Sequence, residues 1–274
     1  DQKQRYLSKI LKGESVICVG MTEPEAGSAV TDLTTSATPD GDGYRINGVK
    51  VFQTHATAAE VMLTYVRFGP GVGGIGSVLI PRSSAGFKQG AAAKFFNGEE
   101  WVQTYLDNVY VGPENVLLKE GGFKKMINAF NTQRCLNPSV SLGLAEGAFE
   151  EAVKYARDRT AFGKPIINLG KNIELVSRAR IEIEAMRLMV LKAAKAMDVL
   201  GNREARVWVS MVKAMVPEKV CTIIDQAIQI HGATGISQWS PLSEMYVNQR
   251  HLRFADGPDE VHHMVVGRAE LSRH

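Results

Sequence analysis

A change of hydrophobic period near residue 118 constrains this chain more than any other feature. Between Ser15 and Leu117 the apolar residues fall in short alternating runs, SVICVGM, YRINGVKVF, EVMLTYVRF, SVLIPR and TYLDNVYV, broken by signals such as the TPDGDG turn. Period-two alternation, punctuated this often by Gly, Asp and Pro, predicts an antiparallel sheet shaped as a barrel or sandwich. From Gly121 onward the period lengthens. Leu175, Ala179, Ile183, Met186, Val190, Ala193, Met197 and Leu200 recur every three or four residues and lay one apolar stripe along a helix. Ala205, Val212, Met215, Val220, Ile223, Ala227 and Ile230 trace a second. Helical stretches over about Phe123–Arg157 and Pro258–Ser272 complete a four-helix bundle, with Pro138 and Pro217 expected to kink or interrupt their helices. Strands followed by helices, each with its own pattern, make the fold class α+β with segregated domains.

Composition matters for what it removes. The 274 residues carry a net charge of +3 and no basic stripe, so nothing points to nucleic acid. Cys18, Cys135 and Cys221 are far apart and lack CxxC spacing, which argues against a disulfide framework or a thiolate metal site and for a reducing compartment. No apolar run approaches the roughly 20 residues that span a bilayer. The opening DQKQRYLSKILKGES has no signal-peptide core and reads like the tail of a helix begun upstream. The expected setting is intracellular and soluble, a bacterial cytoplasm or a mitochondrial matrix.

Several motifs offer chemistry and most fail on context. Gly71, Gly73 and Gly76 match GxGxxG, but they sit between two strand-like runs. A dinucleotide fingerprint needs a helix N-terminus there, so a hairpin connection is the reading. The six histidines show no ligand spacing, and neither HExxH nor GxSxG occurs. MTEPEAGSAV (21–30) leaves a strand and presents Gly27 and Ser28 where backbone can approach a ligand, or is an ordinary loop. In FADGPDEVHH (254–263), Pro258 fits the first helical position, Gly257 the N-cap and Glu260 the third position of a final helix. Asp256 then stands outside with a carboxylate not used in capping; the alternative is that Asp256 is itself the cap.

TEPEAGS, NGVKVFQT, YLDNVYVGPENVLL, KYARDRTAFGKPI, QIHGATG and ADGPDEV, in this order, resemble the acyl-CoA dehydrogenases over nearly the whole chain. Each is degenerate alone; the ordered set is specific. The resemblance implies that residues 1–14 end that family's N-terminal helical domain, 15–118 form its β-barrel domain and 119–274 its C-terminal four-helix bundle. Roughly a hundred residues, about one small domain, would be missing upstream. It also implies FAD as cofactor and an acyl-CoA substrate. A carboxylate removes the α-proton while the β-hydrogen leaves as hydride to flavin N5, giving the 2-enoyl-CoA. An unactivated α-proton is too weakly acidic for a free carboxylate, so donors must face the developing enolate oxygen. An electron-transfer flavoprotein would take the electrons.

Carried over residue by residue, Asp256 takes the place of the catalytic Glu. Met21 and Thr22 line the flavin pyrimidine, Gly27 and Ser28 lie by the flavin, and Ser28 also by the CoA arm. Phe52 stands where a Trp commonly packs beside the ring, and Thr54 where a hydroxyl lies close to N5. Arg159 and Phe162 match the pair that reaches a neighbouring subunit's FAD, implying a homodimer or dimer of dimers. Gln229 and Gly232 match the QxxGG diphosphate segment, with Ala233 for its second glycine. Pro258 and Glu260 join the cofactor set; Asn131, Arg134 and Gly257 join Ser28 in the substrate set. The departures are Asp256 for Glu, Gln133 at the family's other base position, Val247 and Asn248 for the usual Arg-Asp pair, and Glu260 for a frequent Gln. A related subgroup resembles this chain in its ADGPDEVH loop. Asp is also the base of the related nitroalkane oxidases, so a flavin oxidase on the same fold stays open, as does a truncated non-catalytic subunit.

Overall fold

The computed structural model describes residues 1–119 and 121–274. The chain divides into two compact units, Asp1–Ile127 and Asn128–His274.

The first unit opens with a short helical segment ending in α1 (Ser8–Leu11). Its main sheet has eight strands: β1 (Ile17–Gly20), β2 (Ser36–Asp40), β3 (Gly43–Lys50), β4 (Val61–Arg67), β5 (Ile75–Pro81), β6 (Phe87–Gln89), β9 (Thr104–Val111) and β10 (Val116–Leu118). β7 (Ala93–Lys94) and β8 (Glu100–Trp101) form a separate pair. The strand order is β10-β5-β4-β2-β3-β9-β6, with β1 added to β4. Where the alternation predicts an antiparallel sheet, the sheet is mixed: β1 runs parallel to β4, and β2 meets β4 in parallel at Ser36 and Arg67. Alternation reports which side chains share a face and carries no record of the neighbouring strand's direction. Cys18, Ile46, Met62, Val66, Val78, Ile80, Leu106 and Val109 lie in the core. Gly71 and Gly73 lie in the link between antiparallel β4 and β5, and Gly76 within β5, so the GxGxxG match is a hairpin connection.

β9 shows how local backbone corrects a pattern. Thr104 and Leu106 are buried, then Val109 and Val111, so the alternation slips by one residue. The pairing with β3 slips at the same place: Ile46 faces Val109 but Gly48 faces Leu106. Asn108 takes up the extra residue at φ +55°, and its N–H donates to Asn47 Oδ1 at 2.8 Å. This is a bulge, with the unpaired amide satisfied by a side chain.

The second unit is helical. α2 (Gly122–Asp158) is followed by the hairpin of β11 (Thr160–Ala161) and β12 (Lys164–Pro165), then α3 (Asn172–His231), α4 (Leu242–Arg250) and α5 (Asp259–Leu271). Ala145, Ala148 and Ala152 from α2 pack with two stripes of α3, Ala179–Ile183–Met186–Val190–Ala193 and Val212–Val216–Val220–Ile223–Ala227. Gly201, at φ +77° and ψ 172°, divides α3 into two helices, which with α2 and α5 make four. The expected interruptions at Pro138 and Pro217 do not occur; both helices continue through them. A proline removes one backbone bond and crowds one carbonyl, which buried packing on both sides can outweigh. The dihedrals of Gly201 fit no helix.

Candidate active site

Asp256 occupies the turn between the helical residues His251–Arg253 and α5. α5 starts one residue later than its sequence suggests. Pro258, at φ −59° and ψ 157°, is the N-cap rather than the first helical residue; Gly257 lies outside and Glu260 falls at the second position. The extended ψ of Pro258 decides this, since a helical residue needs ψ near −40°. No side chain caps α5, so Asp256 is not its cap. The Asp256 carboxylate instead accepts a 2.7 Å hydrogen bond from Asn137 Nδ2, and Asn137 Oδ1 accepts from Gln133 Nε2 at 3.0 Å.

The turn is unusual backbone held by unusual neighbours. Asp256 sits at φ +57° and Gly257 at φ +105°. Asp tolerates the left-handed region better than most residues, and Gly257 has a further reason to be glycine: a Cβ there would stand 3.0 Å from His262 Nε2. The Asp256 carbonyl accepts from Arg134 Nε at 2.9 Å and lies 3.3 Å from His262 Nε2. Lys213 Nζ donates to the carbonyls of Leu252 (2.7 Å) and Gly257 (3.1 Å). Burial pushes the Asp256 carboxyl above its ordinary pKa, against the opposing pull of Arg134, Lys213, the Asn137 bond and His251. Burial, with the charges of Lys213 and Arg134, takes His262 down to about 4. A neutral His262 then donates from Nε2 to Asp256, leaving Nδ1 to accept from Ser210 Oγ at 3.3 Å. Asn131 is buried, with Nδ2 donating to the Asn202 carbonyl and Oδ1 accepting from Arg134, so it supports Arg134.

Asn137 and Lys213 are neighbours of the Asp256 turn that the motifs do not mark, whereas His262 closes the ADGPDEVH motif. One signal exists. Lys213 lies in phase with the apolar stripe of α3, where a solvated lysine has no place. Asn137 has no such signal, because its partner is 119 residues away.

In the first unit, Met21 and Thr22 follow the end of β1, and Phe52 and Thr54 follow β3. These two segments are tied together: Val51 N–H donates to the Thr22 carbonyl at 2.9 Å, and Lys50 Nζ to the Met21 carbonyl at 3.1 Å. Phe52, at φ +62° and 51% exposed, packs on Trp101 with ring centroids 4.5 Å apart. Gly27, Ser28 and Thr54 are exposed. In the second unit, Arg159 and Phe162 are exposed on the β11–β12 hairpin, Phe162 at 94% and φ +51°. Gln229 and Gly232 are exposed where α3 ends, with Gly232 at φ +61°. Among the described residues no His, Cys, Asp and Glu cluster could hold a metal, and no helix is long and apolar enough to cross a membrane.

Residues 18–109 match the family model of the acyl-CoA dehydrogenase middle domain, and residues 120–271 that of the acyl-CoA dehydrogenase C-terminal domain. The chain belongs to the acyl-CoA dehydrogenase family. A Mycobacterium tuberculosis relative named "Probable acyl-CoA dehydrogenase FadE2" is 34% identical over 99% of this chain and 69% of its own length. Acyl-CoA dehydrogenase family member 11 of Rattus norvegicus is also 34% identical, but the chain spans only 36% of it. The structure of butyryl-CoA dehydrogenase from Megasphaera elsdenii superposes with a TM-score of 0.90 at 28% identity, covering 98% of this chain and 72% of that one.

Acyl-CoA dehydrogenases are FAD-dependent oxidoreductases, and residues of this member fit that cofactor. At Gly27 and Gly232 a Cβ would meet nothing within 4 Å, so backbone there is open to close approach. Phe52 and Phe162 expose aromatic rings on positive-φ backbone. Arg159 offers an exposed cation suited to a diphosphate.

Proposed function

We propose that this chain dehydrogenates an acyl-CoA thioester to the 2-enoyl-CoA, with Asp256 removing the α-proton. The observation that carries the reading is the state of Asp256: a half-buried carboxylate, free of helix capping, held by Asn137 and displaced upward in pKa beside two cations. FAD, when bound, supplies the acceptor for the β-hydrogen. Asn137 orients one carboxylate oxygen and leaves the other to approach the substrate. Arg134 and His262 hold the Asp256 carbonyl, so the Gly257 N–H of the same trans peptide faces the opposite way. Neither the Asp256 nor the Gly257 N–H donates to a described residue. The Asp256 N–H is thereby available for the thioester oxygen, where it would stabilise developing negative charge. Ser28 and Arg134 complete the proposed substrate contacts. Asn131, whose amide is already used, acts through Arg134.

For the cofactor, Met21, Thr22, Gly27, Ser28, Phe52 and Thr54 would serve the ring. Arg159, Phe162, Gln229, Gly232, Pro258 and Glu260 would serve the diphosphate and adenosine half, Arg159 and Phe162 toward a neighbouring subunit. An electron-transfer flavoprotein is the proposed electron acceptor. One sequence observation favours a second reading: Asp in place of Glu also suits a flavin oxidase. Anaerobic titration of the FAD-loaded protein with a panel of acyl-CoAs tests the proposal. Bleaching of the oxidised flavin by at least one thioester is expected. No bleaching, with peroxide released on a nitroalkane, would select the oxidase; purification without flavin would select a non-catalytic subunit.

A further inference from the structure

Lys213 is 0% exposed, on the stripe of α3 that otherwise presents Val209, Val212 and Val216 to the core. Among the described residues no carboxylate lies within ion-pair distance of it. Its ammonium is satisfied by two carbonyls, Leu252 and Gly257, which bracket the turn that carries Asp256. Ser210, nearly one turn earlier on α3, reaches His262, which meets the Asp256 carbonyl. A bundle core does not need a buried cation: apolar residues of similar volume often serve stability as well or better. What a hydrophobic side chain could not supply is a donor to both ends of the turn and a positive charge beneath it.

We propose that Lys213 is a positioning residue for the reaction, clamping the two ends of the active-site turn and setting the electrostatic field in which its carboxylate works. The inference rests on the reading of Asp256 as the base. The groups facing the turn are Arg134 from α2, Lys213 from α3, His251, and Asp259 and His262 from α5. Lys213 feels both Asp259, which Arg253 holds at 2.7 Å, and Asp256, the carboxylate that the proposed reaction uses. Burial lowers Lys213 to about 8, which leaves it charged at neutral pH.

Lys213→Met in the full, FAD-loaded chain tests this. Amide hydrogen exchange over residues 252–258 should quicken while the α3 core stays protected. Flavin reduction at saturating acyl-CoA should fall on the order of 10²-fold, the scale of a small misplacement of a reacting group. The acid limb of its pH profile should move to higher pH, because Asp256 loses a neighbouring positive charge; Lys213→Arg should return the limb toward wild type. If the Met variant does not fold, Lys213→Gln, uncharged but still a donor, carries the same measurements. Wild-type exchange over 252–258 with an unmoved acid limb would overturn the proposal. Asp256→Asn separates the two ideas: if it reduced flavin at the wild-type rate, the base assignment would fail, and the exchange experiment would still decide the clamp.

Discussion

Glu23 and Lys50 show how residues that need not touch a ligand can shape a site. Glu23 accepts from Lys50 at 2.8 Å, from the Thr34 and Thr35 N–H groups at 2.6 and 3.0 Å, and from the Thr34 hydroxyl at 2.8 Å. Burial alone would raise its pKa, but the Lys50 charge and these bonds outweigh it and hold the carboxyl at about 2, below the ordinary 4.5. A depressed folded pKa adds stability that is complete above 4.5 and is lost as pH falls toward about 2. Glu23→Gln strands Lys50 as a buried unpaired charge and should cost about 3–5 kcal/mol at neutral pH. Denaturant unfolding should show that gap narrowing as pH falls below the ordinary carboxylate range; a gap that widens in acid would contradict the assignment. In the sequence, TEPEAGS is visible as a motif, but the tie to Lys50, 27 residues away, is not. Asp256 stands out because the following Pro and Glu mark a helix start, whereas Asn137 acquires meaning only once α2 is placed beside that turn, and Ser210 only once α3 meets His262.

At the scale of elements, hydrophobic period separates strands from helices because it records burial directly. It is silent on strand direction and blind to local backbone, which is why the parallel β1–β4 pair and the β9 bulge are structural findings, whereas the α3 break falls where its two apolar stripes meet, between Leu200 and Ala205. Gly201 makes the last point testable. A Cβ there would meet nothing within 4 Å, so space is not the constraint; φ +77° with ψ 172° is. Gly201→Ala should destabilise the protein by about 1–3 kcal/mol through backbone strain. Equal or greater stability by thermal or denaturant unfolding would show that the helix re-forms across the turn at no cost. Proline, expected to kink or interrupt the helices at 138 and 217, interrupts neither, because helix packing supplies more than one lost backbone bond removes.

For the whole molecule, the β11–β12 hairpin carries the strongest prediction about assembly. Phe162 is 94% exposed at its tip, and the acyl-CoA dehydrogenase resemblance assigns it, with Arg159, to a neighbouring subunit's FAD. Sedimentation should therefore show a flavin-loaded dimer or dimer of dimers; a flavin-loaded monomer would refute this. Arg159→Ala should weaken FAD retention by roughly 1.5–3 kcal/mol, the worth of a hydrogen bond to a charged group, and leave FMN affinity nearly unchanged. Equal loss for both flavins would remove Arg159 from the diphosphate. The central claim is that the carboxylate at position 256 takes the substrate proton, and Asp256→Asn isolates it, since size and polarity are kept and proton acceptance is lost. Wild-type flavin reduction should rise with pH through a carboxyl displaced above its ordinary value. In stopped-flow mixing of the FAD-loaded variant with a reactive acyl-CoA, FAD and thioester should still bind while flavin reduction falls by at least about 10²–10⁴-fold; reduction at the wild-type rate would contradict the account.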